Sequence, residues 1–562
     1  MKCLRLSLLA LVFVLPAARV AAADAAKPGK TAIASAHVLA TDAGFAAIRA
    51  GGNAFDAAVA VGAALSVVEP QSSGIGGGGL FLLHRASDGK DVMVDARETA
   101  PAAVDEKAYL GADGKLDQDK SWNGALAAAI PGEAAGLVWL ARHYGRLPLA
   151  KSLAPAIKLA RNGFKPDARM LAELAERREV MARYPGSAAL FLPGGQLPKA
   201  GWVLKNPDLA RTLERLAQQG NDGFYRGELA QTLVDGVRAA GGNWSLDDLA
   251  HYEVKERSPL AFDYRGYRIV TAPPPSSGGI ALTEMLNILG GFELDKLDRP
   301  HRVHLIVEAM RRAYRDRAEF LGDPDFVPMP LERLASPYYA AGLRASIHPD
   351  RATPSDLLPG FLAPPQGPHT THFSIIDAEG NYVAATQTVN LLFGAALVIP
   401  GTGFLLNNEM DDFTVKPGSP NMFGLIEGEA NAIQPGKRPN SSMTPTIVLK
   451  NGQPVLVIGA PGGSRIITGV MQVILNVIDF GMNIQDAVDA PRFHHQWQPD
   501  RLYTERGISP DTIAALRARG HTVEPNTFGV ARVEAIHVET IDGKRWIAGG
   551  SDGRGDGKAS GY

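Results

Sequence analysis

The side chains best placed for covalent chemistry are Thr370-Thr371-His372-Phe373-Ser374, where a proline-rich stretch gives way to an alternating apolar pattern. Scission of the His369–Thr370 peptide bond would leave Thr370 with a free α-amine beside its hydroxyl. Such an amine titrates at about 7.7–8.0, so near neutral pH part of it is unprotonated and can take the hydroxyl proton, directly or through water. One residue then carries nucleophile and general base together. The same hydroxyl can make the cut: it attacks the preceding carbonyl, the acyl group moves from nitrogen to oxygen, and the ester hydrolyses. Taken alone, Thr-Thr at a strand start reads more simply as two β-branched residues packed in a sheet.

Other patterns imitate functional motifs in the wrong setting. Gly74–Gly79 fits G-x-G-x-x-G, but it follows a helical stretch and precedes a strand, the reverse of a dinucleotide fingerprint; close backbone packing explains it better. Gly549-Gly550-Ser551-Asp552-Gly553 fits a nucleophile elbow, yet too little chain follows for the elbow helix, the acid and the histidine. His494-His495 and His369-x-x-His372 have no second cluster at ligand spacing, so packed histidines are expected and no metal is called for. Arg554-Gly555-Asp556 and the sequons at Asn243 and Asn440 are short enough to arise by chance.

The elements that must position Thr370 follow from periodicity and punctuation. Residues from His37 to Val68 read as two helices broken at Gly51-Gly52-Asn53, and a short strand, Leu80–Leu83, follows the glycine run. Helical spacing marks Pro131–Tyr144, Leu149–Asn162, Pro166–Tyr184, Asp208–Gly241 and His304–Leu321. The last sets apolar residues opposite Arg311, Arg312, Arg315 and Arg317, which reads as a solvated face. Six prolines between Pro349 and Pro368 preclude a helix or central strand and mark a linker or exposed loop. Beyond it lie two hairpins, Thr371–Ile376 with Tyr382–Thr388, and Thr444–Leu449 with Pro454–Ile458 across Asn451-Gly452. Arg465–Phe480 reads as a helix with Ser464 as its N-cap. Helices, then hairpins, then helices point to antiparallel sheets with helices outside.

Composition sets the context. The 562 residues are 45% hydrophobic and 21% charged, which excludes a disordered or coiled-coil chain. A formal charge of −2 without a basic block argues against nucleic acid as a partner. Lys2 and Arg5, the apolar Leu6–Leu15 and Ala21-Ala22-Ala23 form a secretory signal over residues 1–23, so the product is expected to be exported, periplasmic or secreted. Its apolar core is too short to span a membrane, and nothing downstream is long enough, so a soluble product is expected. Cleavage after Ala23 removes Cys3, the sole cysteine, and with it any disulfide or thiolate chemistry.

Collinear motifs across most of the chain resemble the gamma-glutamyltransferase (gamma-glutamyltranspeptidase) family of N-terminal-nucleophile hydrolases. They are Asn53–Ala60, Gly76–Gly79, Asp95–Pro101, Pro273–Gly279, Thr370–Ser374, Leu405–Phe413, Pro439–Met443 and Pro461–Arg465. The resemblance implies an α+β fold, a four-layer α/β/β/α sandwich of two antiparallel sheets. It implies a large subunit, residues 24–369, and a small one, residues 370–562, intertwined in one domain after self-cleavage. Thr370 is implied as nucleophile, Thr388 as the residue orienting it, and Gly462 and Gly463 as amide donors to the tetrahedral oxyanion. Arg97, Ser441 and Ser442 would hold the glutamyl α-carboxylate, and Asn390, Glu409 and Asp412 the α-ammonium.

One departure stands out: where bacterial members commonly place a lid tyrosine, the stretch Pro420–Leu425 carries Phe423. The ring can still cover the site without the hydroxyl's hydrogen bond, which is expected to shift transfer against hydrolysis. The implied substrates are γ-glutamyl compounds such as glutathione, with water, amino acids or peptides as acceptors and no cofactor. A same-fold acylase acting on glutaryl-cephalosporin or poly-γ-glutamate is the alternative within the superfamily, although a glutaryl group gives Glu409 and Asp412 no ammonium to bind. A non-catalytic periplasmic solute-binding protein is the alternative outside it, and such a protein has no use for scission.

Overall fold

The computed structural model describes residues 27–358, 370–415, 421, 424–425, 427–526 and 529–562. The signal segment, Pro359 to His369 and Phe423 lie outside the described residues. The strands are β1 (Lys27–Pro28), β2 (Ala32–Ser35), β3 (Gly78–Arg85), β4 (Lys90–Ala96), β5 (Lys255–Arg257), β6 (Leu260–Tyr264), β7 (Tyr267–Thr271), β8 (Thr371–Ile376) and β9 (Tyr382–Thr388). They continue as β10 (Thr446–Lys450), β11 (Gln453–Gly459), β12 (Phe493–His494), β13 (Leu502–Thr504), β14 (Val523–Pro525), β15 (Glu534–Ile541), β16 (Lys544–Ser551) and β17 (Lys558–Gly561). Helices that bear on the site are α1 (Val38–Arg49), α2 (Ala54–Val68), α3 (Glu133–His143), α4 (Gly278–Leu289), α5 (Arg299–Phe320) and α6 (Arg465–Ile478).

Two seven-stranded antiparallel sheets form the middle of the molecule, in the orders β17-β2-β8-β9-β3-β4-β5 and β1-β16-β15-β11-β10-β7-β6. A small third sheet, β12-β13-β14, lies apart, and its β13–β14 pair is parallel. Alternation along β3 explains the layering. Phe81 and Leu83 enter the core beneath α1, α2 and α3; Leu80 and Leu82 enter the core shared with β7, β10, β11, β15 and α4 to α6. The result is helices, sheet, sheet, helices, as the resemblance implied.

Local chemistry accounts for most boundaries. Asn53 and Asp56 form a reciprocal capping box at the start of α2, and the Asp56 carboxylate also accepts the Arg146 and Leu147 amides. The Asn451-Gly452 turn takes positive φ at both residues, the hairpin geometry that this pair favours. Asp208–Gly241 is three helices instead of one, Pro207–Gln219, Asp222–Tyr225 and Gly227–Ala239, with positive φ at Gly220 and Gly227 marking the breaks.

Two expectations fail for a shared reason, the depth at which α5 and α6 lie. Arg311, Arg312 and Arg317 are each 2% exposed or less, so their side of α5 is not a solvated face. Carboxylates on the same helix and beyond it compensate the buried charge: Glu308, one turn back along α5, lies 3.4 Å from Arg311 and 2.7 Å from Arg312, and Glu427 lies 2.5 Å from Arg317. Ser464 occupies the N-cap position of α6, but its hydroxyl makes no capping bond and turns instead to Gln496. The start of the proline-rich stretch is also tied down. Ala352 N–H donates to the Arg519 carbonyl, and the Thr353 amide and hydroxyl donate to Glu308.

Candidate active site

Hairpin register brings the two threonines together. Thr371 pairs with Gln387 across β8 and β9, which sets Thr370 beside Thr388, and their Oγ1 atoms stand 3.2 Å apart. The Thr388 hydroxyl oxygen also accepts the Asn390 amide at 2.8 Å. One residue on, the Thr371 hydroxyl donates to the buried Glu69 carboxylate at 2.7 Å and fixes the strand start. The glycine run explains itself here: a Cβ on Gly77 would sit 1.9 Å from the Thr388 carbonyl oxygen, and one on Gly76 2.1 Å from that of Leu405. It is a close backbone approach against the hairpin that brings Thr370 and Thr388 together.

The turn from β11 into α6 brings Gly463 into the cavity that Thr370 lines, with Gly462 one residue behind. Gly463 has φ 55°, and a Cβ on Gly462 would meet the Ala531 backbone at 3.0 Å. Among the described residues, no partner accepts the Gly462 or Gly463 amide. Two unengaged N–H groups beside a hydroxyl nucleophile are what a developing oxyanion requires.

In the same cavity the charges converge. Glu409–Asp412 is a short 3₁₀ turn, in which residues three apart share a side. Glu409 and Asp412 both face Arg97, at 2.6 Å and 2.5 Å, while Asp411 accepts from Ser121 and Trp122 behind them. Glu98 adds a third carboxylate 3.3 Å from Arg97. Burial opposes the Arg97 charge, but Glu409, Glu98 and Asp412 outweigh it and hold the guanidinium protonated. One cation cannot neutralise three carboxylates in a buried site. Burial raises both Glu98 and Glu409 above the ordinary carboxylate range despite Arg97.

The Ser441–Met443 segment is held by the Pro273–Gly279 motif, which explains why that motif contributes no side chain to the cavity. The Ser277 hydroxyl and amide donate to the Ser441 carbonyl at 2.6 and 2.8 Å, and the Ser276 hydroxyl donates to that of Met443 at 2.6 Å. Ser442 Oγ accepts from Arg317 at 3.4 Å. The cavity has about 310 Å³ of empty volume and is lined by Thr370, Thr388, Arg97, Asn390, Glu409, Asp412, Ser441, Ser442 and Gly463 together. Of the residues singled out in the sequence, Gly462 adjoins the cavity, and Phe423 is outside the described residues.

The structure adds Arg317, Leu425, Asn440, Met443 and Ile466 to the lining. Asn440 belongs to the Pro439–Met443 motif, and its sequon has no bearing on the site; it is 2% exposed and reaches Glu427 at 3.3 Å. Arg317 gave no usable signal, because α5 is buried on nearly all sides and periodicity cannot tell a cavity wall from solvent.

The histidines are packed. His372 lies between Thr386 and Ser374, against Gly459, and burial lowers it to about 3. His494 bridges Thr468 and Gln496. Among the described residues one group, His304, Glu308 and His521, has ligand atoms close enough for a metal. Its two ring nitrogens are hydrogen-bonded to each other at 2.8 Å, and the Glu308 oxygens accept from Arg312 and Thr353, so packing within the protein accounts for the cluster. Among the described residues no helix is long and apolar enough to cross a membrane.

With the geometry in hand, comparison with known proteins is direct. The family model described as Gamma-glutamyltranspeptidase matches residues 40–562. The glutathione hydrolase proenzyme of Escherichia coli (strain K12) is 45% identical over 495 residues, 87% of this chain and 85% of the relative. The crystal structure of cephalosporin acylase from Bacillus halodurans superposes with a TM-score of 0.84 at 31% identity, over 95% of this chain and 96% of that one. The Helicobacter pylori gamma-glutamyltranspeptidase structure matches at 39% identity and TM-score 0.56, with 57% of this chain aligned to 93% of that one.

Proposed function

The chain belongs to the gamma-glutamyltranspeptidase family, and we propose that it is a self-processing enzyme that cleaves γ-glutamyl amides such as glutathione at Thr370. It is a gamma-glutamyltransferase and glutathione hydrolase. The observation that carries the assignment is a single cavity lined both by the Thr370–Thr388 hydroxyl pair and by Arg97 with Glu409 and Asp412.

Scission between His369 and Thr370 divides the precursor into residues 24–369 and 370–562 and frees the α-amine. That amine takes the Thr370 hydroxyl proton as Oγ1 attacks the γ-carbonyl. The Gly462 and Gly463 amides bind the oxyanion, the protonated amine gives its proton to the leaving nitrogen, and a γ-glutamyl ester remains on Thr370. Water or an amino acid or peptide amine then attacks the ester by the reverse path. Thr388 holds the nucleophile in line throughout.

Recognition is an exchange of ion pairs. In the free site Arg97 is bound by Glu409 and Asp412. The α-carboxylate displaces them from the guanidinium with help from Ser441 and Ser442, and the α-ammonium takes up Glu409 and Asp412 with Asn390. A zwitterion brings one charge of each sign and adds no net charge to the buried site. A glutaryl group would detach the carboxylates from Arg97 and give them nothing in return, which separates this chain from acylase chemistry on the same fold.

The signal segment supports export to the periplasm or beyond. The test is wild type beside Thr370→Ala, followed by gel electrophoresis and by anilide release from γ-glutamyl and glutaryl anilides. The wild type is expected to give two unequal fragments and to prefer the γ-glutamyl donor, the variant one uncut chain and no release. Cutting or turnover retained in Thr370→Ala refutes the assignment.

A further inference from the structure

We propose that Gln496 is a positioning residue that locks the turn bearing Gly462 and Gly463 to the Gly424–Leu425 part of the cavity wall; the proposal rests on the reading of Thr370 and the two glycines given above. Gln496 follows β12 and is 4% exposed, and its amide bridges two segments far apart in sequence. Its Oε1 accepts the Ser464 hydroxyl at 2.8 Å and His494 Nε2 at 2.8 Å, and its Nε2 donates to the Gly424 carbonyl at 3.1 Å. A backbone carbonyl only accepts, so the Gly424 contact fixes which way the amide lies. His494 then needs a hydrogen on Nε2, and its Nδ1 faces the Thr468 hydroxyl at 2.9 Å. Burial, with Arg465 nearby, keeps that imidazole neutral.

Both ends of the bridge lie one residue from the cavity lining. Ser464 follows Gly463, and Gly424 precedes Leu425; Gly463 and Leu425 line the cavity together with Thr370. The Ser464 hydroxyl abandons the capping bond that its position at α6 offers in order to make this contact. Its carbonyl is held in turn by the Tyr314 phenol, from α5. The turn that presents the oxyanion donors is therefore positioned by side chains, and Gln496 links it to the Gly424–Leu425 segment of the cavity wall. Misplacement of such donors by about 1 Å can cost about a hundredfold in rate.

The test uses processed enzyme and γ-glutamyl anilide release. Gln496→Met is expected to lower kcat about tenfold with KM changed less than about threefold. Ser464→Ala should show the same split, and the double variant should be no worse than the poorer single one, because both break one link. Gln496→Glu supplies a readout that a merely structural role would not move. While protonated, its carboxyl can donate to Gly424 as the amide does; once ionised, it opposes the carbonyl. Its kcat/KM relative to wild type should therefore hold near neutral pH or below and fall about tenfold by about pH 9, while the ratio for Gln496→Met stays flat. If Gln496→Met does not mature, the cycle with Ser464→Ala is run on Gln496→Glu at the higher pH. Losses that multiply in the double variant, or a pH-independent Gln496→Glu ratio, overturn the proposal. Failure of the underlying reading shows separately, as turnover retained in Thr370→Ala.

Discussion

At the scale of single residues, the site is a balance of buried charges. Asp412 contributes one of three carboxylates around Arg97, and it is also a partner assigned to the substrate ammonium. Asp412→Asn is expected to raise KM for a γ-glutamyl anilide about tenfold or more, worth about 1.4 kcal/mol per decade. It should also narrow the preference over the glutaryl analogue, and steady-state kinetics on both donors checks this. Glu133, at the start of α3, shows the pH consequence of burial. Both carboxyl oxygens lack a hydrogen-bond partner among the described residues, and burial, with Glu98 nearby, raises its pKa well above 4.5. The folded chain keeps this proton where the unfolded chain has lost it. The contribution to stability is therefore full below about 4.5 and declines as pH rises toward the elevated value, by at most about 1.4 kcal/mol per unit. Glu133→Gln is expected to flatten the Tm profile between about pH 5 and 9 and to raise Tm at its upper end, as calorimetry can show.

At the scale of elements, backbone contact sets what the site tolerates. The Gly76–Gly79 run lies against the β9 end that holds Thr388, and no neighbouring side chain can move to admit a methyl at Gly77, because the obstacle is the Thr388 carbonyl 1.9 Å away. Gly77→Ala is expected to prevent accumulation of processed, soluble protein, judged by expression and fragment pattern. Gly462→Ala meets the Ala531 backbone at a gentler 3.0 Å. It should fold, yet lose about a hundredfold or more in kcat as the oxyanion donors shift, as single-turnover release of anilide will report.

At the scale of the whole molecule, the proposed cut would not separate the halves. In one sheet β17, β8 and β9 come from after Thr370 and alternate with β2 and the β3-β4-β5 group from before it; in the other, β16, β15, β11 and β10 are flanked by β1 and β7-β6. Parting the fragments would tear open antiparallel ladders in both sheets. The processed pair is expected to co-elute as one species in size exclusion and to part only in denaturant. Fragments that separate under native conditions would contradict the intertwined arrangement.

What could be read from the sequence was local or carried by resemblance. The hairpin around Thr370, the capped helix pair and the Asn-Gly turn depend on neighbours within a few residues, so propensity and punctuation revealed them. The motifs named the residues that converge on the cavity, because chemistry restricts which side chains can stand there. The helix carrying Arg311, Arg312 and Arg317 was misread, since its partners Glu308, Glu427 and Asp500 include residues more than a hundred positions away. For the same reason nothing near Ser464 foretold that its hydroxyl would leave the helix end for Gln496, or that Arg97 would rest between the two carboxylates meant for the ammonium. A chain fixes the conformations its near neighbours favour; which buried charges and amides finally meet is decided by how sheets and helices stack, and that is set by the sum of all packing contacts.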